Sequence, residues 1–305
     1  MSDLSLRTKT AVIYGGTILL VFALGRYWTP IFSLLFALIT IQGLRELLPL
    51  LAQKGYALER GPVYGLGLSF LSLHLLLGLS PQSITSSDLS RPELRSQLLA
   101  AVGIAIVFFL LMLIGIGLIG FFAQVLRRGP QQLPSALMGL FSGIYLAFPF
   151  AAALIMLYLL PQGWVWLLLA FVTPWFTDTV AYLFGSRYGR KKIFPKLSPN
   201  KTGGGFWAAQ LATALLYLPI FMSLSKSPNT WTFWHILLAL FSGFTIALAD
   251  QFGDLFASAL KRYLGGKDFG QLFPGHGGVL DRFDSTFYTI PVCLIWALLM
   301  TSLTL

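Results

Sequence analysis

A chain of 305 residues with 56% apolar and 10% charged side chains, and a mean hydropathy of +0.76, is too apolar for a water-soluble domain, where roughly a quarter of residues carry charge. Its formal charge of +10 would suit a nucleic-acid partner only if the basic residues formed one soluble patch, and they are instead scattered between long apolar runs. The single cysteine, Cys293, sits inside the last such run, which excludes an intramolecular disulfide and a cysteine metal cluster and leaves an all-α polytopic membrane protein.

Nine apolar runs long enough to span a bilayer are expected, near residues 11 to 29, 31 to 51, 62 to 80, 99 to 124, 136 to 160, 163 to 184, 206 to 224, 232 to 253 and 286 to 304. The first follows Arg7 and Lys9, as in a signal peptide, but its length approaches a bilayer span and no small-residue cleavage site precedes a soluble stretch, so it is read as a retained helix. With the N-terminus in the cytoplasm, 17 of the 21 basic residues fall on the cytoplasmic side, and only Arg26, Arg91, Arg95 and Lys226 lie opposite. That asymmetry predicts an N-in, C-out arrangement. Residues 81 to 98, rich in Pro and Ser, read as a solvated outside connector. Residues 1 to 130 carry almost no candidate chemistry and are expected to supply scaffold, lipid contact and a homodimer contact, with residues 131 to 305 forming the catalytic membrane domain.

The stretch Gly185 to Gly205, GSRYGRKKIFPKLSPNKTGGG, is a basic loop on the side assigned to the cytoplasm. Most of its charge suits an anchor for anionic lipid, whereas Lys201, between a proline turn and three glycines, is placed to touch a phosphate. Just upstream, Asp178 lies in the sixth run with no basic residue on its own helix face within a turn, so a cation or a residue from elsewhere must balance it.

Residues 250 to 284, DQFGDLFASALKRYLGGKDFGQLFPGHGGVLDRFD plus Ser285 beyond, concentrate five aspartates, two lysines, two arginines and a histidine. Asp250 and Asp254, four apart, share one helix face, and Ser258 and Lys261 continue it. Two carboxylates on one stripe at a membrane face are explained by a shared cation or by pairing with Lys261 or Arg262. Next, Pro274-Gly275-His276-Gly277-Gly278 supplies glycines that let backbone N–H groups approach phosphate oxygens, between Lys261, Arg262 and Lys267 on one side and Asp281, Arg282 and Asp284 on the other. Carboxylates for Mg²⁺, basic side chains for phosphate and a glycine loop are the parts that phosphoryl or nucleotidyl transfer requires.

At this point the residues resemble a known family. Ser258-Ala-Leu-Lys261-Arg262, four residues, Lys267-Asp268, then the run from Phe269 through His276, Gly277, Gly278, Asp281 and Arg282 to Asp284, is similar throughout to the signature of the phosphatidate cytidylyltransferases. The preceding Gly253-Asp254-Leu255 and the pattern from Asp178 to Gly189 resemble it too, so the likeness covers at least residues 175 to 285. One departure stands out: Gly203 and Gly204 occupy positions where the family usually has Trp and Glu, so any role of that glutamate is absent or moved here.

The resemblance implies transfer of CMP from CTP to phosphatidic acid, with Mg²⁺ and room for a second cation, in a cavity open to the cytoplasm at a bacterial inner membrane. On this reading Asp254 and Asp281, assisted by Asp250 or Asp178, hold the metal. Lys201, Lys261, Arg262 and Arg282 neutralise the phosphates, and Ser258, Lys267, Asp268, His276, Gly277, Gly278 and Asp284 complete the substrate site. The lipid phosphate attacks the α-phosphorus without a protein nucleophile. Membrane lipids and a second copy of the chain are the other expected partners, and no nucleic acid is expected. A CTP-dependent polyprenol or phytol kinase and an ion-coupled transporter are the alternatives to be separated by experiment.

Overall fold

The computed structural model describes residues 3–78, 91–189, 191–224, 232–273 and 277–303, with side chains from residue 13 onward except those of Pro92 and Leu303. It is helical throughout: α1 (Asp3–Gly25), α2 (Pro30–Gln53), α3 (Arg60–Gly67), α4 (Leu71–Gly78), α5 (Pro92–Arg128), α6 (Leu133–Leu159), α7 (Gly163–Tyr188), α8 (Gly203–Leu224), α9 (Phe233–Leu264), α10 (Leu280–Phe283) and α11 (Thr286–Leu303). Among the described residues, β structure is limited to two isolated bridges, Lys192 with Thr202 and Phe273 with Gly277.

Eight helical segments are long and apolar enough to cross a membrane among the described residues, against the nine runs read from the sequence. The difference lies in the first run: its helix α1 spans Asp3–Gly25, and the described side chains there cover only Ile13–Gly25, a shorter apolar stretch. The third run is broken: α3 and α4 are separate helices joined by a turn in which Ser69 N–H donates to Leu66 O at 3.1 Å and Leu71 N–H to Leu68 O at 3.0 Å. These bonds pair much of the turn's backbone, as apolar surroundings demand. The eighth run extends well past residue 253, since α9 continues to Leu264, and 32 helical residues reach about 48 Å. It is therefore longer than the roughly 30 Å hydrocarbon layer, with Ser258, Lys261 and Arg262 in its last turns.

The centre of the bundle is α6. Leu146, Ala147 and every residue from Phe150 to Met156 are buried on it, and it packs against α2, α3, α5, α7 and α11. Phe150 stacks on Phe36 of α2 with ring centroids 4.5 Å apart and meets Phe287 of α11 edge-on. In an apolar solvent, small residues and interhelical hydrogen bonds do what hydrophobic burial does in water. Gly243 on α9 accordingly lies so close to Ala214 of α8 that an added Cβ would come within 2.8 Å of its Cα. Thr289 on α11 donates to the Ala170 carbonyl of α7 at 2.7 Å, the Trp296 indole donates to Thr245 of α9 at 2.8 Å, and Thr173 of α7 meets Tyr217 of α8 at 2.9 Å.

These contacts order the ends of the helices. The ends of α2, α5, α7 and α9 and the starts of α3, α6, α8 and α10 gather at one pole, tied by Arg128–Glu59 at 3.3 Å, Gln124 donating to the Ala57 carbonyl at 2.6 Å and the Tyr56 and Tyr263 hydroxyls bonded together. At the other pole Arg26 lies over the Trp164 ring, 5.2 Å from its centroid. The pole that gathers Arg45, Lys54, Arg128, Lys201, Lys261 and Arg282 is the one the charge asymmetry groups together.

Candidate active site at the charged pole

The polar stripe of α9 forms as its four-residue spacing predicts, and its neighbours differ from one end to the other. Asp250, the deepest, is only 2% exposed; its Oδ2 accepts from the Thr177 hydroxyl of α7, and Ser285 donates to its backbone carbonyl at 3.0 Å. Among the described residues its Oδ1 is buried without a hydrogen-bond partner. One turn on, Asp254 accepts from Lys201 Nζ at 2.8 Å and keeps 34% of its side chain exposed. Asp178 on α7 is exposed and lies within electrostatic range of Asp254, Lys201 and Arg282. Arg282 thus belongs to the balancing partners that Asp178 lacks on its own helix.

A second network, more enclosed, lies beside the first. Lys261 Nζ is 3.0 Å from Asp281 Oδ1 and 3.6 Å from Asp284 Oδ2, and Lys261 also lies over the Phe269 ring. The other oxygen of Asp281 accepts from Phe269 N–H at 2.8 Å and Gly278 N–H at 2.9 Å. Both oxygens of this 4%-exposed carboxylate are therefore engaged by the protein itself. The turn that approaches it requires glycine at Gly277, where φ is +80° and an added Cβ would come within 2.8 Å of Asp281 Oδ2. Gly265, at φ +86°, ends α9 by donating to the Arg262 carbonyl at 3.1 Å and so turns the chain into the segment bearing Lys267 and Asp268.

Between the α9 end and the earlier basic loop lies a polar cavity with an empty volume of about 610 Å³, lined by Ser198, Asn200, Ser258, Lys261, Arg262, Lys267 and Asp268 among others. The loop wall is fixed as a tight ribbon: Ile193 N–H donates to Lys201 O at 3.2 Å, Gly203 N–H to Lys191 O at 2.9 Å, and Lys192 Nζ to Asn200 O at 3.2 Å. An apolar groove, about 850 Å³ in empty volume, runs between α1 and α2, lined by Ile13, Ile18, Leu35 and Leu38, with Tyr14, Thr17, Gln42 and Arg45 as its polar members and Phe273, Val279 and Phe283 as one wall.

The structure thus gathers Asp178, Lys201, Asp250, Asp254, Ser258, Lys261, Arg262, Lys267, Asp268, Gly277, Gly278, Asp281, Arg282 and Asp284 around one pole. Pro274, Gly275, His276 and Arg190 lie outside the described residues. Gly204 has ordinary contact room, with the nearest atom to an added Cβ at 3.5 Å, so packing does not demand glycine there. One residue escaped the sequence reading altogether. Glu46 of α2 is 7% exposed and accepts from Val279 N–H at 2.9 Å and Leu280 N–H at 3.0 Å, holding the same turn from the opposite side. Its only sequence signal is the Arg45–Glu46 pair in a mostly apolar helix.

Fold and site together define a polytopic membrane protein with a basic, carboxylate-bearing pole suited to phosphate groups. The chain belongs to the cytidylyltransferase family, whose model it matches over residues 5–300. It is similar to proteins named phosphatidate cytidylyltransferase from Staphylococcus epidermidis and Staphylococcus aureus, 40% identical over 131 residues in each case, and to one of that name from Staphylococcus haemolyticus at 37%. The match spans 43% of this chain and 48%, about half, of the length of these curated relatives.

Proposed function

We propose that the protein transfers CMP from CTP to phosphatidic acid, giving CDP-diacylglycerol and pyrophosphate for phospholipid synthesis. The observation that carries this reading is the cavity in which Ser258, Lys261, Arg262, Lys267 and Asp268 converge from the end of α9 and the segment after it, facing Ser198 and Asn200. A polyanionic triphosphate fits a cavity with three cationic side chains on its wall. The apolar groove against Phe273, Val279 and Phe283, with Arg45 among its lining residues, supports a lipid phosphate as the second substrate.

In the reaction an oxygen of the lipid phosphate forms the bond to the α-phosphorus as the bond from that phosphorus to the β-phosphate oxygen breaks, and the electron pair leaves with pyrophosphate. The lipid phosphate is already largely ionised at neutral pH, so no side chain has to remove a proton from it. Arg262 and Lys267 would bind the nucleotide, and Lys201, Lys261 and Arg282 would neutralise the charge that develops between the two phosphates as they approach. Catalysis on this reading is positioning and charge stabilisation.

A Mg²⁺ ion suits the residues present. Among the described residues no three acidic, histidine or cysteine side chains converge into a closed metal cage. Mg²⁺ commonly needs only one or two carboxylates, taking its other ligands from water and substrate phosphates. The unpartnered Asp250 Oδ1 and the open Asp254 and Asp178 are the candidates to hold it, and a second cation would fall on the same set. Asp281 could join them only by giving up Lys261 or its two backbone donors. When bound, the ion would neutralise triphosphate charge and stabilise the departing pyrophosphate.

The proposal places the charged pole at the cytoplasmic face of a bacterial inner membrane, supported by the 17 to 4 split of basic residues. It includes no nucleic-acid partner, and a homodimer joined through residues 1 to 130, where α5 exposes Ile104, Leu111, Ile114, Ile119 and Phe122. The test is to incubate the purified full chain with CTP, phosphatidic acid and Mg²⁺, with ATP and an isoprenoid alcohol as controls. CDP-diacylglycerol and pyrophosphate in equal amounts are expected; release of CDP with a phosphorylated alcohol would identify a kinase instead.

A further inference from the structure

We infer that Glu46 is a positioning residue for the transfer reaction: from α2, outside the stretch that carries the signature, it fixes the turn that holds Asp281 and, through Asp281, Lys261. The inference rests on the proposed function for its catalytic consequence, but not for its geometry.

Three observations carry it. The Glu46 carboxylate grips two consecutive peptide N–H groups, Oε1 on Val279 at 2.9 Å and Oε2 on Leu280 at 3.0 Å, which fixes the orientation of both peptide planes. Gln42, one turn earlier on α2, donates to Oε1 at 3.2 Å and holds the carboxylate in place. Among the described residues no cation lies within ion-pair distance of it, and its described partners are these three hydrogen-bond donors. A carboxylate is stable in such a position only while those donors stay where they are.

The surroundings are shaped to the same contact. Added Cβ atoms at Gly278 and at Gly270 would both collide with the Glu46 carboxyl group, at 2.7 Å from its carboxyl carbon in the case of Gly270. Gly43, three residues before Glu46, lets Leu280 come within 2.9 Å of where its own Cβ would stand, so α2 and the turn are in close contact. The four-residue α10 is too short to hold its own geometry, and an external tie must do so. The far side of that turn is the Gly278 N–H on Asp281, whose other oxygen takes Lys261. A shift of the turn is therefore passed to the cavity wall through direct contacts.

The experiment uses the full chain in detergent or vesicles with the near-isosteric Glu46→Gln, which keeps the volume but turns one acceptor into a donor facing a backbone N–H. Two quantities are read: steady-state CMP transfer, and hydrogen–deuterium exchange along the chain. A positioning role predicts kcat lower by about 30- to 100-fold with the KM for CTP within about threefold, because misplacement of a catalytic group costs rate more than binding. It also predicts faster exchange confined to residues 277–284, with 233–260 unchanged. Gly270→Ala, which pushes on the carboxylate from the other side, should give the same local change, and the double variant should be no worse than the more affected single variant.

Three results would overturn the inference: a folded Glu46→Gln protein with unchanged kcat, unchanged exchange in residues 277–284, or faster exchange along the whole chain in step with lost activity. Absence of CMP transfer in the unaltered protein would overturn the proposed function instead. In that case the exchange measurement still decides whether Glu46 holds the turn.

Discussion

The charged pole contains two lysine–aspartate pairs of similar length and opposite character. Lys261 and Asp281 meet at 3.0 Å with 12% and 4% of their side chains exposed, and every oxygen of that aspartate is used by the protein. Lys201 and Asp254 meet at 2.8 Å, but Asp254 is 34% exposed, has exposed Asp178 in its electrostatic range, and lies one turn from the unpartnered oxygen of Asp250. The first pair holds a loop in shape. The second leaves part of its carboxylate open to the surroundings. Ion-pair length alone would not distinguish them; burial and the fate of the remaining oxygens do.

The largest expected effect comes from breaking the closed pair. Asp281→Asn must point its amide nitrogen either at Lys261 or at the two backbone donors, so one side is left unsatisfied, and the cost of disrupting such a buried pair is about 3 kcal/mol. Both stability, read as a drop in the unfolding midpoint, and CMP transfer should fall, the latter at least about 100-fold. Full turnover by the purified variant would show that the pair is not part of the working site. Asp254→Asn should separate the two measures: a half-open pair contributes at most about 1 kcal/mol, so the midpoint should hardly move while transfer falls by about 100-fold. An equal fall in stability for both variants would erase the distinction between the pairs. Smallest is Arg262→Ala on the cavity rim, where the guanidinium donates to the Gly266 carbonyl at 3.2 Å. It should raise the KM for CTP by about tenfold with little change in kcat, as expected for binding that is equal in ground and transition states.

Much of this pole is legible in the sequence. Asp250, Asp254, Ser258 and Lys261 follow from helical spacing, and the shared side of Lys201 and Asp254, 53 residues apart, follows from counting spans. What was not legible depends on contacts between distant segments. Glu46 lies 233 residues before Val279, and no local pattern announces a carboxylate that caps a turn from another helix. The end of α9 at Leu264 carries no hydropathy signal, because hydropathy ends a span where the bilayer ends; only the helix face continued through Ser258 and Lys261 points past residue 253. The break between α3 and α4 falls in a run that is apolar on both sides, so hydropathy carries no trace of it. Nor does residue type separate the two aspartates: Asp254 and Asp281 look alike in sequence, and only the backbone donors on Asp281 assign it to holding the loop.

Transfer of the α-phosphorus of CTP to a lipid phosphate at this pole can be followed by position-specific labelling. With purified protein, phosphatidic acid and Mg²⁺, label placed on the α-phosphate of CTP should appear in the lipid fraction, and label on the γ-phosphate should appear only in pyrophosphate. Lipid that acquires the γ-label, or that acquires neither, would contradict the account.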